Sequence, residues 1–171
     1  MLRAFEKLEN LLSWIAGISV FAMMVLVSCD AIGRYAFKSP LTFQFDFTTY
    51  YLMVIVGVLA LSWGERNGAM IRINVVSRFL PDGLKGLLYA LNNLLAALVF
   101  AVMTQASLKR TLETLHEGDV IFGVIDWPVW LSLVWVPIGA GVLTVRLLIN
   151  AIQYGFLGRP VVPASGHEDE M

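Results

Sequence analysis

Charge is what this chain has least of. Asp, Glu, Lys and Arg make up 15% of its 171 residues, against roughly a quarter in an ordinary soluble domain. The net charge is −1, so no basic excess points to nucleic acid. The single cysteine, Cys29, excludes an internal disulfide and says nothing of redox compartment. Only His116 and His167 represent histidine, and neither lies in a long apolar run, so an intramembrane pair of haem ligands is excluded. No metal-ligand cluster, nucleophile–base arrangement or phosphate-binding glycine loop can be read. Neither cofactor nor catalytic residue is expected. What the chain has instead is apolar length: 58% of it is hydrophobic.

That length falls into four runs. The first, 11–29, is interrupted only by hydroxyls and Gly17, and at 1.5 Å per residue it reaches roughly 28 Å, enough for a hydrocarbon core. Ahead of it, Leu2, Phe5, Leu8, Leu12 and Ile15 recur at helical spacing, with Arg3, Glu6 and Lys7 off the stripe. Leu26-Val27-Ser28-Cys29 looks like a lipoprotein cleavage box. The run is longer than a signal core, however, and two acids dilute its basic head, so a retained span is expected. Asp30 and Arg34 follow, four residues apart, and would pair on a continuing helix. The second span is expected over 47–63, with Asp46 just before it. The third covers 84–108, with Asn92 and Asn93 as buried amides that join helices and Ala97 and Ala101 permitting close approach. Leu108, Leu112 and Leu115 carry its helix onward to a stop at Gly118. The fourth covers 129–152, opened by Trp127-Pro128 and kinked at Pro137, with Gly139 and Gly141 suited to close contact. Arg146 is read as lying one turn from its end, free to snorkel. The stretch 158–171 is Pro, Gly, Ser and acid, which predicts a disordered tail.

Between the second and third runs lies a basic interruption carrying Arg66, Arg72 and Arg78. Placed at 100° per residue, Ile71, Val75 and Phe79 share one side and Asn74, Ser77 and Arg78 the other. A surface helix over 69–80 follows; an isolated strand there would leave its backbone unpaired. Arg72 falls inside the apolar arc, so it snorkels to headgroups or meets an acid on another protein. An ordinary surface linker is the plainer reading. Eight basic residues lie on the side of the termini and the surface segment, against Arg34, Lys38, Lys109 and Arg110 on the other. The positive-inside rule then places both termini in the cytoplasm. The expected architecture is an all-α membrane domain, 1–157, with four spans and one surface helix.

Ion coupling normally needs an acid or base inside the membrane. Asp30, Asp46 and Arg146 are each read as lying near an interface, so the chain reads as a helper. A self-contained four-helix carrier and a membrane assembly or sensor protein are the alternatives.

Three blocks then resemble a known family. Gly33-Arg34-Tyr35-Ala36-Phe37 with Pro40-Leu41, followed by Asp46, resembles the R-Y-x-F-x-x-P-L signature of the small membrane subunit of TRAP transporters (DctQ-like). Arg66, Gly68, Ile71 and Arg72, down to Leu80-Pro81, resemble the block after its second span. Pro128, Trp130, Pro137 and Gly139 resemble its entry to the fourth. The chain departs where the family often has Trp, a second acid, His and Asp, at Phe43, Phe45, Met70 and Asn74. The resemblance implies a bacterial inner-membrane importer of organic acids, driven by sodium. In it a periplasmic substrate-binding protein captures cargo, and a large membrane subunit holds the substrate and sodium sites. This chain would be the non-catalytic companion bracing the large subunit. Arg34, Tyr35, Pro40, Asp46, Arg66, Arg72, Pro128, Trp130, Pro137 and Gly139 would then meet the partner or lipid headgroups, and the loop from Val120 to Asp126 would help receive the binding protein.

Overall fold

The structure, a computed structural model, describes residues 2–39, 41–70, 82–121 and 126–156. The surface helix expected over 69–80, Arg72, Pro40 and the tail 158–171 lie outside the described residues, apart from Ala69 and Met70, as does 122–125 of the outer loop.

Four helical spans carry the fold, each long and apolar enough to cross a membrane. The first is the single helix α1, Leu2–Ala36. Its last turn is closed by the Gly33 carbonyl, which accepts N–H groups from Phe37 and Ser39, both at 3.1 Å. The second span is broken into α2 (Gln44–Phe47), a π-helical turn (Thr48–Leu52), α3 (Met53–Leu59) and α4 (Leu61–Arg66). The third is α5, Asp82–Glu117, which ends where Gly118 takes φ +69° and donates its N–H to Thr114. A left-handed residue after the last turn is the common way to satisfy orphan carbonyls, and glycine adopts it without steric cost. At 1.5 Å per residue α5 reaches roughly 54 Å, far more than a bilayer core, so it projects beyond the membrane as the leucine spacing predicts.

The fourth span comprises α6 (Val129–Leu133) and α7 (Trp135–Phe156). The break at Val134 has a direct cause: Pro137 has no N–H to offer the Leu133 carbonyl, and its ring crowds it. Pro128 sits at the N-cap with φ −68° and ψ 122° rather than inside the helix. It belongs to a short antiparallel ladder that the sequence reading lacks: β1 (Val120–Ile121) pairs with β2 (Trp127–Pro128), Val120 opposite Pro128.

In space α1 packs on α3 and α4, these pack on α7, and α7 packs on α5. One apolar cluster joins Leu12 and Ala16 to Ile55 and Leu59; another joins Ala97 to Leu143 and Leu147. Among the described glycines, Gly139 marks the tightest crossing. A Cβ built there would stand 2.6 Å from Val58 Cγ1 and 2.7 Å from the Val58 carbonyl oxygen, so only glycine admits this approach.

Large apolar side chains face outward, including Leu11, Ile18 and Phe21 on α1 and Leu95, Leu98 and Val102 on α5. Ser19, Ser62, Asn93, Thr111, Thr114 and Ser132 face inward. Lipid is as apolar as leucine, so burial selects small and polar groups. Several of these groups satisfy themselves on their own helix: Ser19 donates to the Ile15 carbonyl at 2.9 Å, Thr114 to Arg110 at 2.8 Å. Asn93 does likewise, donating to the Tyr89 carbonyl at 2.8 Å, and Asn92 is exposed. The amides therefore do not bridge helices as expected, although Ala97 does admit α7.

Candidate functional site

Two polar junctions hold the bundle, one at each end. The first lies at the end that carries the N-terminus. Glu9 is 0% exposed, and Arg146 of α7 is 5% exposed. Glu9 Oε1 accepts from Ser62 Oγ at 2.5 Å and from Arg146 Nε at 2.7 Å. Its Oε2 accepts from Arg66 Nη1 at 3.2 Å and from Arg146 Nη2. One carboxylate thus receives four donors from α4 and α7, two of them from a side-on guanidinium. An ionised carboxylate offers about four lone-pair positions, so this one is filled.

A surrounding layer holds the arginines. Arg66 also donates to the Glu6 carbonyl at 3.2 Å and to Asn10 Oδ1 at 2.5 Å. The Arg146 guanidinium carbon lies 5.2 Å from the Phe5 ring centroid, within cation–π range. One residue earlier on α4, buried Glu65 accepts from Asn150 at 3.2 Å. Three spans, the first, second and fourth, are joined by charge at this point.

The expectation for Arg146 is corrected here. Helix α7 continues to Phe156, ten residues beyond it, so Arg146 lies roughly 15 Å from that end and does not snorkel. It turns inward because Glu9 offers a bidentate partner there. Glu9 itself carries no role in the sequence reading, which notes only that Leu2, Phe5, Leu8, Leu12 and Ile15 recur at helical spacing. The buried face of α1 runs through Glu9, Leu12, Ala16 and Ser19, with Ile15 packed beside it, so it overlaps that stripe although Leu8 is exposed. The legible sign was an acid in register with two small residues, at i+7 and i+10.

The second junction lies at the opposite end. Asp30, buried, accepts Arg34 Nη2 and the Leu41 N–H, each at 2.8 Å, so the expected i,i+4 pair forms and also pins the first loop. Tyr51 donates its hydroxyl to the Pro128 carbonyl at 2.8 Å, and Ser132 donates to the Tyr50 carbonyl. Phe47, Tyr51 and Trp127 cluster, with ring centroids 5.5 to 5.7 Å apart. The π turn carries Tyr50 and Tyr51 to the start of the fourth span; such turns often mark functional positions.

The residues singled out by sequence divide accordingly. Arg34, Arg66, Pro128 and Gly139 are engaged within the bundle, and Pro137 is buried. Asp46 is half-buried at the start of the second span, Trp130 is half-buried in α6, and Tyr35 is 86% exposed. Among the described residues no group of three or more His, Cys, Asp or Glu could hold a metal ion.

Residues 23–154 match the family described as tripartite ATP-independent periplasmic transporters, DctQ component. The chain is also 24% identical over 148 residues to the ectoine TRAP transporter small permease protein TeaB of Halomonas elongata, covering 86% of this chain and 74% of that protein. With four membrane-length helices, the chain is a multi-pass protein of the bacterial inner membrane, a transporter subunit rather than an enzyme. It belongs to the DctQ component family of TRAP transporters, as the small permease subunit.

Proposed function

We propose that this subunit is the non-catalytic, static companion of the large membrane subunit in a sodium-driven importer of organic acids, with both termini in the cytoplasm. The moving part of such an importer needs a fixed neighbour to work against. The Glu9 junction supports this reading most directly, because it ties three spans together with charged hydrogen bonds buried from water, where replacing a partner is costly. Arg34, exposed for most of its side chain, and Arg72 are the proposed contacts to the large subunit or to headgroups. The outer end, from the β1–β2 ladder to α6, is proposed to help receive the substrate-binding protein.

A buried glutamate also favours a second reading, a self-contained carrier, since an ionisable group buried among membrane helices is by default a functional candidate. Its four acceptor positions are occupied, which supports the scaffold instead. Proteoliposomes separate the two. Under an inward sodium gradient, uptake is expected only when this chain, the large subunit and the binding protein are all present. Gradient-driven flux of any solute through vesicles holding this chain alone would overturn the proposal. In the same system Arg72→Ala is expected to reduce co-purification of the large subunit; unchanged yield and uptake would remove Arg72 as a contact.

A further inference from the structure

A groove of about 310 Å³ opens between α1 and α4 on the membrane-facing side, beside the Glu9 junction and lined by Asn10, Ser13, Trp14, Gly17 and Trp63. Its chemistry is graded along the helix axis. Gly17 presents open space, since a Cβ built there meets nothing within 4 Å. One turn towards the N-terminus stands the indole of Trp14, 72% exposed, with Trp63 of α4 on the opposite wall. Next come the amide of Asn10 and the hydroxyl of Ser13. Beyond these the same face of α1 carries exposed Arg3, Lys7 and Glu6, and Arg66 reaches its edge through the bond to Asn10.

We infer that this groove seats one anionic glycerophospholipid. Its acyl chain lies along Gly17 beside Trp14, its ester region meets Asn10 and Ser13, and its phosphate faces Arg3 and Lys7. Three observations favour a lipid over a protein helix. The order apolar, aromatic, neutral polar, cationic is that of a phospholipid read from tail to head, and indoles prefer the headgroup boundary. With Arg66 already paired to Glu9, exposed Arg3 and Lys7 still outnumber Glu6, the exposed acid on that face, which matches an anionic head rather than a zwitterionic one. A larger groove of about 480 Å³ between α5 and α7 is lined by apolar residues alone, such as Leu91 and Leu148, and has no such grading.

Native mass spectrometry of the full-length chain in detergent tests this, with phosphatidylglycerol and phosphatidylcholine of matched acyl chains. Phosphatidylglycerol is expected to be retained preferentially. Lys7→Gln is expected to reduce that preference about five-fold, and Arg3→Gln likewise, since each basic residue near an anionic surface contributes on that scale. Gly17→Leu, which fills the open part of the groove, is expected to lower retention of both lipids while leaving helicity intact. Equal retention of the two lipids would overturn the inference. So would a preference unchanged in the Arg3→Gln/Lys7→Gln variant, or efficient cross-linking of Ser13→Cys to a helix of the large subunit, which would assign the groove to protein.

Discussion

Glu9 sits between two guanidinium groups where water does not reach, so its charge is worth most to the residues around it. Glu9→Gln replaces one acceptor oxygen with an amide donor facing donors and leaves Arg146 buried without its counter-charge. The expected cost is about 3–5 kcal/mol, read as a fall in the detergent thermal midpoint. Combining Glu9→Gln with Arg146→Met should cost less than the sum of the single changes, because the second removes the stranded cation. An additive result would show the pair to be uncoupled. Gly139 is the opposite kind of sensitive residue, limited by space alone. Gly139→Ala should cost about 1–3 kcal/mol. Val58→Ala should not restore it, because the Val58 backbone carbonyl is as close as the side chain. Gly139 was legible as a close-contact glycine from its place beside Pro137. Glu9 was not, because an acid near a chain start reads as a solvated one.

At the scale of the element, the breaks in the second and fourth spans belong together. The π turn at Thr48–Leu52 and the interruption at Val134 lie on facing spans, joined by Tyr51 to Pro128 and Ser132 to Tyr50. Because Pro137 breaks the helix at Val134, Pro137→Ala should let α6 and α7 run on as one helix and weaken both contacts. Spin labels at exposed Phe45 and Leu131 should then report a shifted and broader distance distribution by double electron–electron resonance. An unchanged distribution would mean that the facing span, and not the proline, imposes the break. The proline was visible in sequence; the π turn opposite was not, since Thr48–Leu52 carries no Pro or Gly to announce it.

For the whole molecule, orientation is the property with a direct chemical readout. With Cys29 replaced by Ser, Lys109→Cys should react with a membrane-impermeant maleimide added outside intact spheroplasts, and Arg3→Cys only after lysis. The reverse pattern would invert the proposed topology. Both positions lie on exposed parts of α5 and α1, so neither substitution disturbs packing.

The number of spans, the extension of α5 to Gly118 and an interruption near Pro137 were determined by the sequence alone, because each depends on local composition: apolar length, helical spacing, a glycine or a proline. The three family blocks were likewise readable in order along the chain. Which face of each helix turns inward was decided only by the tertiary structure. In a hydrocarbon solvent a leucine gains little by burial, so an apolar stripe alone, even one whose Leu12 and Ile15 reach the core as in α1, is a weak pointer to the inward face. What does point there is a carboxylate whose two cationic partners lie 57 and 137 residues away in the chain, and no local pattern brings those together.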